Sequence, residues 1–180
     1  DIYLKKADAK AVVHAHSPHA TAVSAHSKDI PAFHYMIALA GGDNIKCAKY
    51  ATFGTQELSD NIIEALENRK ACLMSNHGQV AYGDNLNSAF ELAEEVENIC
   101  HQYINAIRLG EPKILSSGEM DVILEKVKNY KNKMINNIAK LCEISEGQIN
   151  IKGKTTEKLG IIGKEKAIAC EVICSVIKYD

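Results

Sequence analysis

Three histidines have the type and spacing for metal chemistry. His14 and His16 stand two apart at the end of the apolar run Ala11-Val12-Val13, and Ser17-Pro18 follows them. In a strand, residues i and i+2 share one face, so both imidazoles would point the same way. Ser17-Pro18 breaks the strand and leaves the pair at an element end, where pockets open. His77 closes a second apolar run, Ala71 to Met74, and precedes Gly78. Three neutral imidazoles on strand ends, with a fourth position open, describe a catalytic zinc site rather than a closed structural one. Spacing alone does not settle the point, because a lone HxH also occurs among histidines with ordinary polar partners.

The elements that would carry these residues follow from periodicity and punctuation. Ala9 to His16 reads as a strand. Pro18 to His26 reads as a helix with Ser17 as its cap and Pro18 at the first position. Phe33 to Ala40 is apolar and ends in the turn Gly41-Gly42-Asp43-Asn44. Lys46 to Ala51 is a short strand. Thr55 caps a helix running to Asn68, with Leu58, Ile62, Ala65 and Leu66 at helical spacing. Lys70 to Met74 is a strand that Gln79 to Tyr82 continues or pairs with. The clearest helix is Asp84 to Leu109. Its apolar stripe is Leu86, Ala89, Phe90, Ala93, Val96, Cys100, Tyr103, Ile104 and Ile107, and Glu91, Glu94, Glu95 and Glu97 lie mostly off it. Another helix runs from Ser116 to about Tyr130. Lys131-Asn132-Lys133 looks like a seam, followed by a helix (Met134 to Cys142), a strand (Gln148 to Lys152), a polar loop and a last helix (Glu165 to Ile177). Strands interleaved with helices give a mixed α/β class.

Composition narrows the function classes. The chain has 180 residues, 46% hydrophobic and 24% charged, which suits one ordinary globular, soluble domain or one domain with a small appendage. A net charge of −2 gives no electrostatic case for nucleic acid or an anionic membrane. No apolar run approaches the roughly 20 residues needed to span a bilayer. Asp1-Ile2-Tyr3-Leu4-Lys5-Lys6 lacks the order of a signal peptide, and the absent initiator Met suggests a processed or truncated start. The six cysteines are scattered without a CxxC, so reduced, buried thiols and a cytoplasmic location are expected.

Several stretches carry a family resemblance. Val12-Val13-His14-Ala15-His16 with His19-Ala20-Thr21-Ala22-Val23-Ser24, and Asn76-His77-Gly78 further on, resemble the zinc signature of the class II aldolase/adducin family. Ile30-Pro31-Ala32-Phe33-His34-Tyr35-Met36-Ile37-Ala38 and Tyr50-Ala51-Thr52-Phe53-Gly54-Thr55-Gln56-Glu57-Leu58-Ser59 are similar to the branch acting on L-fuculose 1-phosphate. The similarity runs from about Asp8 to Tyr130. It implies a sheet flanked by helices, Zn2+ held by His14, His16 and His77, and cleavage of a ketose 1-phosphate into dihydroxyacetone phosphate and an aldehyde. It also implies Tyr35 as a catalytic residue near the aldehyde fragment, Phe53 in the pocket wall, a small-molecule sugar phosphate as partner and a homo-oligomer, a tetramer. From the residues alone, core packing accounts equally well for Tyr35 and Phe53. The family's phosphate loops and catalytic glutamate precede the HxH strand. Here thirteen residues precede His14 and none is Glu, so the resemblance implies a sheet incomplete at its start and an impaired aldolase.

The tail, about 134–178, resembles instead the C-terminal end of the 2-C-methyl-D-erythritol 2,4-cyclodiphosphate synthase family of isoprenoid synthesis. Thr155 and Glu157 fall on that family's nucleotide-diphosphate contacts, while its own metal ligands have no counterpart. The expected organisation is a zinc domain (1–130) and a helix-strand-helix segment (131–180). A natural fusion, a truncated or mis-assembled gene and an engineered chimera all fit two joined fragments. Three functional readings follow: a metal-dependent lyase, a non-catalytic adducin-like module, and a synthase fragment. Bound zinc separates the first from the second, and binding of a cytidine nucleotide would favour the third.

Overall fold

Side-chain alternation along four strands sets the centre of the molecule. The structure, a computed structural model, describes residues 1–149, of which 127–132 by backbone alone. β1 (Ala11–Ala15), β2 (Cys47–Ala48), β3 (Ala71–Met74) and β4 (Gly78–Gly83) form one sheet in the order β1-β4-β3-β2. β4 runs antiparallel to both β1 and β3, and β2 pairs parallel to β3. Val13, Ala71, Leu73 and Ala81 join one apolar cluster, while Val12, Cys72, Met74, Val80 and Tyr82 join another. Both faces of β3 and β4 are therefore buried, which is why these strands read as continuous apolar runs.

Helices supply the other half of each cluster. α2 (Pro18–Ser24) and α4 (Leu86–Arg108) cover the first face through Ala20, Val23, Ala93, Val96, Ile99 and Cys100. α1 (Ile2–Lys5), an element the sequence did not suggest, and α3 (Gln56–Ala65) cover the second with Ile2, Ile62 and Ala65. The apolar stripe of α4 is narrower than its sequence implies. Leu86 and Phe90 are 67% and 52% exposed, and Ile99, off the expected stripe, is buried. The buried face centres on positions 89, 93, 96 and 100, so residues at the stripe's margin face outward.

Several expected boundaries move. β1 and β2 are shorter than their apolar runs, and Phe33 to Ala40 becomes a 3-10 turn over Tyr35–Ala40, closed by Gly41 at φ 99°. α5 (Ser117–Cys142) runs through Lys131-Asn132-Lys133 without a break, so the helix expected to end near Tyr130 and the one from Met134 are a single element. Lysine and asparagine are polar but do not interrupt a helix as proline does, and polarity alone is not a stop signal. Residues 1–130 nevertheless form one compact unit, and a second begins at Lys131, within α5. Gln148 closes a 3-10 turn, Glu146–Gln148, rather than opening a strand. Residues 150–152 of that expected strand, the final helix, Thr155 and Glu157 lie outside the described residues. Among the described residues no helix is long and apolar enough to cross a membrane.

Candidate metal centre

The β1–β4 register brings the three histidines together. His14 lies opposite Val80 and Ala15 opposite Gln79, so the turn before β4 sits beside the end of β1. That turn is Ser75-Asn76-His77. Asn76 adopts φ 53°, a left-handed conformation that asparagine tolerates, and its N–H donates to Ser24 O at 3.2 Å. Gly78 then passes hard against β1. A Cβ there would meet Ala15 O at 2.4 Å, and its φ of 158° is one that side chains rarely adopt. Glycine is needed here for His77 to approach the HxH segment.

The resulting cluster is nearly equilateral. Ring centroids of the three pairs lie 4.8, 4.9 and 4.8 Å apart. One ring nitrogen from each of His14, His16 and His77 lies within 4.8 Å of the others. His14 Nδ1 is 2.9 Å from Gln79 O. A carbonyl only accepts, so Nδ1 carries the proton and Nε2 keeps its lone pair for a metal. Burial, and then the neighbouring His14 and His16, hold His77 below the ordinary histidine pKa. That favours the neutral ring a metal requires. The donor set therefore fits a three-imidazole zinc site with an open position.

The segment after His16 is held from a distance. Ser17 occupies the N-cap position of α2 as expected, but its hydroxyl makes no cap bond and instead accepts from Gln79 Nε2 at 2.9 Å. Glu97 of α4 does the capping. Its carboxylate accepts from His19 N at 2.9 Å, Ala20 N at 2.8 Å and His19 Nδ1 at 2.7 Å. Burial opposes its charge, yet donors from Ser17, His19 and Ala20 outweigh it and keep the carboxyl below the ordinary glutamate range. Gln79 is buried, and its Nε2 also donates to Ala93 O at 3.0 Å. The sequence reading missed Glu97 and Gln79. A trace of Glu97 was present, since it follows Val96 and lies four residues from Ala93, at the edge of the buried stripe.

The other candidates lie apart from this cluster in their contacts. Tyr35 is 45% exposed and stacks on His34, with ring centroids 4.7 Å apart. Both line an open groove of about 870 Å³ with Phe33, Leu115 and Glu119. Phe53 is 81% exposed, just before α3. Asp8 pairs with Lys70 at 3.5 Å. Cys72 and Cys100 are buried free thiols and Cys47 is half-buried, but Cys142 is exposed, because it ends α5 outside either apolar cluster.

Known proteins share this arrangement of elements. Residues 1–104 match the model described as "Class II Aldolase and Adducin N-terminal domain", and residues 104–177 match that of the YgbB family. The 5-methylthioribulose-1-phosphate/5-deoxyribulose-1-phosphate aldolase of Rhodospirillum rubrum is 48% identical over 130 residues, 72% of this chain and 59% of that protein. The L-fuculose phosphate aldolase of Escherichia coli K12 is 50% identical over 129 residues, 71% of this chain and 60% of that protein. A solved L-fuculose 1-phosphate aldolase superposes with a TM-score of 0.68 at 42% identity, covering 71% of this chain and 59% of the other. The chain thus spans about three fifths of the length of these relatives. The matched residues 1–104 include the four strands and the positions of all three histidines, and the chain belongs to the class II aldolase and adducin family.

Proposed function

We propose that the chain binds zinc through His14, His16 and His77 and serves the aldol cleavage of a ketose 1-phosphate of the L-fuculose 1-phosphate type, with dihydroxyacetone phosphate and an aldehyde as products. The observation that carries this reading is the closed triangle of imidazoles. Zinc bound there supplies Lewis acidity to the substrate's carbonyl and neighbouring hydroxyl oxygens. His14 presents Nε2 because Gln79 O holds its other nitrogen. His77, held neutral, keeps a lone pair available. Tyr35 is assigned to orient or protonate the aldehyde oxygen, and Phe53 to form part of the pocket wall. The assembly proposed is a homo-oligomer, and the location cytoplasmic.

The Rhodospirillum relative supports a second choice of substrate, a 5-deoxy or 5-methylthio pentulose 1-phosphate. Both choices share a phosphorylated ketose and differ in the far end of the sugar. For the tail we propose a nucleotide-diphosphate contact at Thr155 and Glu157, in line with the YgbB match.

Elemental analysis of the purified chain tests the main reading. About one zinc per chain is expected, and loss of it in His77→Ala, because two imidazoles alone hold zinc weakly. Wild-type protein free of zinc after expression in zinc-supplemented medium would overturn it. Cleavage assays with the two sugar phosphates then decide between substrates.

A further inference from the structure

We propose that Glu97 is a positioning residue of the metal centre, fixing from α4 the segment that carries His16. The inference rests on the metal reading above and concerns how the ligands are held. A helix leaves its first N–H groups without intrahelical partners, and the N-cap side chain ordinarily accepts from one of them. In α2 the cap residue does not do so. Glu97 accepts from the second and third helical N–H groups, at His19 and Ala20, and from the His19 ring.

Proton directions around this carboxylate are determined. Ala93 O can only accept, so the Gln79 amide nitrogen must face it. The same nitrogen donates to Ser17 Oγ. The Glu97 carboxylate receives three donors, His19 N, His19 Nδ1 and Ala20 N. Only an ionised carboxylate can accept from every one of them. Gln79 ties the network to the other strand, since its carbonyl holds His14 Nδ1. His14 and the chain after His16 are thus both referred to α4. The His19 ring, held by Glu97 on one side, stacks on His101 of the same helix at 4.2 Å and 27°. A ligand set anchored in this way loses metal affinity when its outer partner is removed, typically about 10–100-fold.

The test is a Co2+ titration of the full chain, read by its visible d–d absorption. That signal reports ligand geometry as well as affinity, so it does not move for a merely structural loss. Glu97→Gln keeps the size but presents an amide N–H2 to donors. It is expected to bind Co2+ about 10–100-fold more weakly and with an altered band. Ser17→Ala, which deletes one link, is expected to fall between this variant and wild type. It carries the test if the Glu97 variant does not fold. Asn85→Ala, which removes the cap of a different helix, is expected to leave affinity and band unchanged. Wild-type affinity and spectrum in Glu97→Gln, or in Ser17→Ala where that variant stands in, would overturn the proposal while leaving the metal reading intact. A wild-type chain that takes up no Co2+ would overturn both.

Discussion

The starts of α2 and α4 solve one problem in opposite ways. Each helix must satisfy N–H groups that its own turns leave open. At α4 the answer is local. Asn85 accepts from Ser88 N at 2.9 Å, and Ser88 Oγ accepts from Asn85 N at 3.2 Å. At α2 the answer comes from Glu97, nearly eighty residues away in the chain. The local cap works whenever its own turn forms. The remote cap works only when α4 is docked on the sheet, so the α2 start, and with it the His16 segment, reports on the tertiary fold. The proposed metal ligands, fixed by tertiary contacts, can be held more strictly than ligands on an independent turn, at the cost of depending on everything between.

The sharpest way to break the remote arrangement is at Gly78. Both its left-handed φ and the 2.4 Å approach to Ala15 O exclude a side chain, and the obstacle is backbone rather than a mobile side-chain end. Gly78→Ala is expected to cost about 3 kcal/mol of stability and to abolish metal binding, because β1 and the His77 turn must separate. Denaturant unfolding and elemental analysis check the two halves. Full metal content with wild-type stability would show that the site does not depend on this close approach. A smaller effect is expected from the local cap. Asn85→Ala should cost about 1 kcal/mol, read by the same unfolding experiment, with metal content unchanged. Loss of metal in that variant would erase the distinction between the two helix starts.

The same contrast explains what was legible in the sequence. Thr55 was readable as a cap from the helical spacing behind it, and it accepts from Leu58 N. The paired HxH and His77 were readable because they end apolar runs, and the sheet register joins them. The α4 stripe was readable in outline, but its margins were not, since which of Leu86, Phe90 and Ile99 is buried depends on the packed face. The seam at Lys131-Asn132-Lys133 coincides with the division between compact units, but the helix break expected there is absent, because a change of composition is not a change of backbone. Glu97 and Gln79 left only faint signals. A carboxylate on a long helix is ordinarily solvated, and its role at α2 exists only after folding places the two helices together.

Acid should weaken the remote cap before the local one, and this is the smallest effect expected. The folded-state pKa of Glu97 lies below its ordinary value of 4.5. For a depressed carboxyl, the unfolded chain binds the proton more readily, so stability rises with pH across that interval. The contribution of Glu97 is therefore complete above the ordinary value and is lost as pH falls through the folded one. The His19 ring lies against this carboxylate from α2 and stacks on His101 of α4. Asn85 does not titrate, so its cap is indifferent to the same change. Thermal midpoints of wild type, Glu97→Gln and Asn85→Ala, measured from about pH 7 downward, separate the cases. The gap between wild type and Glu97→Gln should close below the ordinary glutamate value, while the gap to Asn85→Ala stays constant. A Glu97→Gln gap that persists at the lowest pH would mean that shape, rather than the carboxylate charge, holds the start of α2.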